Sequence, residues 1–228
     1  NLKVLMGMYS KNPVNKGLFA KYKAMLDYYI FTSIKDKSIT SFEPRCGAIK
    51  KNVFLEVGGF DTKYKGADVE DYEFGYRVLK KYKMYIDHTI QVDHNFPGFK
   101  TNTKNFFRRG FMWVQLFLKR KKFDNVATTK GAAFGRGFAF LSFLLVPFLL
   151  FSKYALVASL VFFTVYIISS LKFFSLVLKD GSLVLLIYSI IVDYFLSIVL
   201  GFAGLFALMD YFNKNIYKSL AKWKNQLY

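Results

Sequence analysis

The chain is poor in several residues that support common binding and catalytic chemistries. It holds one cysteine, Cys46, and two histidines, His88 and His94, in 228 residues. A lone cysteine excludes an internal disulfide framework and fits a reducing compartment. Acidic residues are scarce as well, 15 Asp plus Glu against 33 Lys plus Arg, for a formal net charge of +18. The opening NLKVLMGMYSKNP lacks the charged start, apolar middle and small-residue cleavage site of a signal peptide. It reads as a strand with no Met before it, so the chain is expected to be the later part of a longer protein. The length leaves room for one or two domains.

A basic excess of this size suggests nucleic acid, an anionic membrane surface or phosphorylated ligands. Its distribution chooses among them. Charges crowd into residues 1–130, whereas Gly137 to Asp210 carries only Lys153, Lys172, Lys179, Asp180 and Asp193 before its last residue. Most of the basic excess therefore adjoins apolar segments, and no recognition motif accompanies it. Nucleic acid is not expected as a partner.

Local pattern places the elements. LKVLMGMY reads as a strand, and residues 17–33 repeat apolar positions at helical spacing, as an amphipathic helix does. KKNVFLEVGGF reads as a short helix closed by Gly58-Gly59. VEDYEFGYRVLKKY suits a helix with acids at its start and bases at its end, and KMYIDHTIQVDH alternates like a strand. Strand, helix, helix and strand in this order predict an α/β unit over residues 1–100. Residues 101–130 interleave Lys and Arg with aromatic residues, the pattern of a helix lying in a membrane interface or of an ordinary helix with a basic face.

Residues 131–210 predict an all-α transmembrane region. The apolar runs fall at about 137–152, 154–176 and 183–209, and a span needs roughly 20 residues. Three spans are expected, with two as the alternative. Three would put the basic tail 211–228 opposite the basic front part, against the tendency of positive charge to stay inside. Asp193 sits within the third run, where a carboxylate marks a functional site, pairs with a base on a neighbouring helix, or stays protonated. Gly201, Ala203, Gly204 and Ala207 permit close helix packing.

Against the basic background, Asp68, Glu70, Asp71 and Glu73 fall within six positions just after Gly58-Gly59. Such a cluster can bind a cation, act as a general base, or cap a helix. The wider order CGAIKKNVFLEVGGFD, GADVEDYEFGYRVLKKYKMYI and VDH resembles the second half of the catalytic domain of family 2 glycosyltransferases, which have the GT-A fold. The resemblance covers about residues 1–120. It rests on Gly58 to Asp61, the Glu70-Asp71 pair, Glu73, Arg77 and the strand-ending His94 in that order. Asn105 to Trp113 resembles the Gln-x-x-Arg-Trp motif of processive members, with Asn105 at the Gln position and Trp113 displaced.

The resemblance implies a partial GT-A, Rossmann-like unit followed by membrane helices, and a sugar transferase in which Asp71 is the catalytic base beside Glu70. A sugar hydroxyl becomes a competent nucleophile when a placed carboxylate takes its proton, and the leaving group, a nucleoside diphosphate or a lipid phosphate, needs a divalent cation or basic side chains. Arg108 and Arg109 are implied diphosphate contacts. Cys46, Gly47, Ala48, Glu73, Arg77 and Trp113 are implied to line the substrate site. His94 is a metal ligand or a structural hydrogen bonder. The cofactor implied is Mg2+ or Mn2+, with its main ligands upstream of Asn1, because this chain has no Asp-x-Asp. This stretch by itself is therefore expected to be inactive. The implied partners are a nucleotide-sugar donor, a glycan or polyprenyl-linked acceptor and the bilayer, at the cytoplasmic membrane with the catalytic part facing the cytoplasm. The competing expectation is a non-catalytic scaffold whose basic face binds anionic lipid.

Overall fold

The computed structural model describes residues 2–64, 69–126 and 128–224, with side chains described as far as Lys214. Asp68 and the last part of the basic tail lie outside the described residues.

The front part is built on a small mixed sheet of four strands. These are β1 (Val4–Tyr9), β2 (Ser38–Ile39), β3 (Gly47–Ile49) and β4 (Met84–Val92). Their order is β2-β4-β1-β3, with β1 parallel to β4 and the two short strands antiparallel at the edges. Parallel neighbours require a long crossover, and here it contains helices α1 (Leu18–Thr32), α2 (Lys51–Val57) and α3 (Glu70–Val78). The β1–β4 register pairs Met6 with Ile86 and then Met8 with Gln91. The extra residues of β4 form a bulge, within which the Asp87 carboxylate accepts from Thr89 N–H at 2.9 Å and from its hydroxyl at 2.7 Å.

Alternation fixes which side of β1 is covered. Val4, Met6 and Met8 are fully buried, and pack with Met84, Ile86, Phe31, Ile39, Phe42, Phe74 and Val78. Helix α2 ends as its glycines predict, with Gly58 at φ 89° and Gly59 at φ 63°, left-handed conformations that cost glycine little.

Helix α1 differs from its expected amphipathic character because it is covered on more than one side. Phe31 joins the sheet core, Ala20 and Ala24 meet Phe96, and Phe19, Tyr22, Met25 and Leu26 pack into the C-terminal helices. A helix sandwiched in this way gains from apolar residues almost all round.

Helix α4 (Phe99–Arg120) leads from the front part to α5 (Lys130–Leu144), α6 (Lys153–Asp180) and α7 (Leu183–Lys224). Among the described residues three segments are long and apolar enough to cross a membrane: Lys130–Phe148, Lys153–Asp180 and Leu183–Lys214. The first begins well before the apolar run does. Thr129 caps α5 by accepting from Ala132 N–H, and the helix stops short of Pro147, which sits in a 3-10 turn. Ser152 caps α6 in the same way. Leu156, Val157, Leu160, Val161, Ile168 and Leu171 leave an apolar face of α6 exposed, as bilayer contact requires. Helix α4 packs lengthwise on α7. Phe99 meets Phe195, Phe107 meets Phe206, and the Gln115 amide donates to Ala207 O at 2.9 Å and to Asp210 at 2.8 Å.

Candidate active-site cavity

Asp71 lies in the first turn of α3 with Glu70 and Glu73, where the helix dipole favours negative charge. Its carboxylate accepts from Tyr72 N–H at 2.8 Å. Close approach of α3 to the loop that follows β2 positions this turn, since a Cβ on Gly75 would overlap the Phe42 backbone. Burial pushes the Asp71 carboxyl up, the buried Glu43 carboxylate adds to the effect, and the value reaches about 7. A carboxylate raised that far is matched to accepting a proton near neutral pH.

Glu43 belongs to a buried ionic group that sequence reasoning did not identify. Arg45 binds Glu43 at 2.7 Å and Asp27 at 3.2 Å, and Lys23 binds Asp27 at 2.5 Å. Glu43 is 2% exposed, and burial raises its carboxyl although Arg45 opposes the shift. Burial also works against the Asp27 charge, but Lys23 and Arg45 outweigh it and hold that carboxyl low. Chains of this kind are costly to break because they leave a buried charge uncompensated. One signal was available: Asp27 is the only acid in the otherwise apolar and basic α1.

These residues border a cavity of about 390 Å³. Glu43, Arg45, Asp71 and Tyr72 form its front wall, Arg109, Gly110 and Trp113 come from α4, and Arg136, Gly137, Gly201 and Gly204 come from α5 and α7. Of the residues implied by the resemblance, the structure therefore gathers Asp71, Arg109 and Trp113.

The others lie elsewhere. Glu73 and Arg77 form a two-pronged ion pair, with Nε to Oε1 at 2.7 Å and Nη2 to Oε2 at 2.8 Å. Arg77 also donates to Val57 O and Gly59 O, both at 2.6 Å, clamping the end of α2 to α3. Cys46 ends a 3-10 turn, and Gly47 and Ala48 open the edge strand β3 against β1. Glu70 is half-buried beside Asp71, and Arg108 is exposed on α4.

His94 stacks on Tyr9 with ring centroids 4.2 Å apart and meets Phe96 edge-on. Burial and then Arg45 lower its pKa, favouring neutral imidazole. Among the described residues no group of three or more His, Cys, Asp or Glu could hold a metal ion.

Asp193 resolves differently from a lone intramembrane acid. It is 3% exposed and accepts from Tyr22 of α1 at 2.9 Å and from Tyr166 of α6 at 3.0 Å, with Arg136 of α5 at 3.6 Å. Arg136 also donates to Ser197 at 3.3 Å. Pairing with a base on a neighbouring helix is thus the arrangement found, and it ties three C-terminal helices to the front part.

Compared with known proteins, the chain matches no family model, no curated protein and no solved structure.

Proposed function

We propose that the protein is a membrane-anchored glycosyltransferase of family 2 type, with a partial GT-A, Rossmann-like front part facing the cytoplasm at the cytoplasmic membrane. The observation that carries the reading is Asp71 opening into a cavity that Arg109 and Trp113 share with apolar C-terminal helices. The donor is a nucleotide sugar. An acceptor hydroxyl oxygen attacks the anomeric carbon and its proton passes to the Asp71 carboxylate. The bond from that carbon to the donor phosphate breaks, and the electron pair leaves with the nucleoside diphosphate. Arg109 supplies positive charge for the leaving group. A divalent cation, where bound, would neutralise the same charge.

The test uses the full-length protein in lipid nanodiscs with a panel of nucleotide sugars. Wild-type protein transfers sugar, and Asp71→Asn loses turnover by about a hundredfold or more, in the range usual for a general base, while still binding donor. Undiminished turnover in Asp71→Asn removes Asp71 as the base. If no donor is ever consumed and liposome binding collapses with salt, the exposed basic face of α4, which includes Lys104 and Arg108, supports the scaffold reading instead.

A further inference from the structure

Arg136 stands at the start of the apolar run of α5 and lines the cavity, yet the protein uses little of its guanidinium. The Asp193 carboxylate beside it already accepts from two tyrosines, Tyr22 on one oxygen and Tyr166 on the other. The nearest guanidinium nitrogen is left at 3.6 Å, too long for a hydrogen bond. Another donates to Ser197 at 3.3 Å, whose own hydroxyl is donated to Asp193 O. Among the described residues these are the partners of Arg136, a single hydrogen bond for a fork with five N–H groups. A part-buried guanidinium in a segment long and apolar enough to cross a membrane is costly unless its donors are met. Its remaining donors call for an anion in the cavity.

Helix packing brings a second arginine to the same level. Helices α5 and α7 meet at two points one turn apart: Arg136 reaches Ser197, and the Phe140 ring lies where a Cβ on Gly201 would be. On α4, a Cβ on Gly110 would lie 2.7 Å from Leu200. These close approaches set α4 and α5 against residues 197–201 of α7, a stretch of about 6 Å at 1.5 Å per residue. Arg109 precedes Gly110 and lines the same cavity as Arg136 and Asp71. A carboxylate ligand offers two oxygens, which one guanidinium fork can take by itself. A diphosphate offers enough oxygens for both arginines.

We propose that Arg136 is a phosphate-binding residue of the transfer site, and that with Arg109 it holds the donor's diphosphate as the bond to the sugar breaks. The assignment rests on the glycosyl-transfer reading and adds to its leaving-group site a residue from an apolar C-terminal helix. The electron pair that departs with the nucleoside diphosphate is then stabilised by two guanidiniums, one from α4 and one from α5. Asp193 is a positioning residue. Its bonds to Tyr22 and Tyr166 hold it in place, and it faces Arg136 without taking the donors that a phosphate needs.

Equilibrium dialysis of radiolabelled adenosine, cytidine, guanosine and uridine diphosphates against the full-length protein in nanodiscs tests this, with the uncharged nucleosides as competitors. Wild-type protein prefers at least one diphosphate to its own nucleoside. Arg136→Met lowers that preference about tenfold or more, the scale of a hydrogen bond to a charged group. Arg136→Lys keeps a cation beside Asp193, and the fold with it, and loses a smaller share because an ammonium has no fork. A preference unchanged in both variants overturns the proposal. So does a loss shared equally by the nucleoside, which would mean that the substitution altered the shape of the cavity and not a phosphate contact. Arg136-dependent binding of farnesyl diphosphate, with no nucleoside diphosphate bound, also overturns it, because the phosphates would then belong to a lipid. Sugar transfer that Arg136→Met leaves undiminished overturns the proposal and leaves the transferase reading standing. Arg136-dependent binding of a nucleoside diphosphate in a protein that transfers no sugar does the reverse.

Discussion

Replacing Asp71 by Asn should make the protein more stable at the pH where it makes it less active. The Asp71 carboxyl titrates near 7 in the folded protein against an ordinary value of 3.8. Between those limits the folded chain binds more protons than the unfolded chain, so this group lowers stability as pH rises through the window. Fully ionised above pH 7, it costs about 4 kcal/mol at about 1.4 kcal/mol per tenfold. Water in the cavity and relaxation of the neighbouring Glu43 reduce the expected gain on removing the charge to roughly 1–3 kcal/mol. Asn keeps the oxygen that accepts from Tyr72 N–H, so little packing is lost. Thermal unfolding in detergent should show Asp71→Asn equal to wild type near about pH 4 and higher by roughly 3–10 °C near about pH 8. A difference of the same size at both pH values, or a variant less stable than wild type at the higher one, refutes the reasoning.

Two further outcomes follow from the buried ion pairs. Asp193→Leu leaves Arg136 without its carboxylate and Tyr22 and Tyr166 without their acceptor and costs about 3–5 kcal/mol, while adding Arg136→Met recovers only the share due to the uncompensated guanidinium; denaturant unfolding of the two single variants and the double variant measures the coupling. Arg77→Ala removes two bonds to the end of α2 and the pair with Glu73, for a loss of about 2–3 kcal/mol and faster hydrogen exchange in Lys51–Val57.

Much of the front part was legible because its signals are local. The Gly58-Gly59 stop of α2, the acidic start of α3 and the alternation that becomes β4 each sit within a few residues. The strands β2 and β3 were not, since two or three residues carry no readable period and exist through their pairing with β4 and β1. The start of α5 at Lys130 was not legible, because Lys130, Gly131, Gly135 and Arg136 come before the apolar run. Asp71, Arg109 and Trp113 were singled out in sequence and share the cavity. The Lys23–Asp27–Arg45–Glu43 chain was not, because it joins α1 to a polar loop and only folding brings them together. Asp193 stood out by itself, but Tyr22, its partner from α1, carries no mark in the sequence that separates it from fifteen other tyrosines.

The most direct test of Asp71 as the base is the pH dependence of kcat/KM for sugar transfer by the full-length protein. The rate constant should rise about tenfold per pH unit below a limb near 7 and level above it. Because Glu43 contributes to the raised value, Glu43→Gln should move that limb to lower pH. A profile flat through pH 7, or a limb that Glu43→Gln leaves in place, would contradict the account.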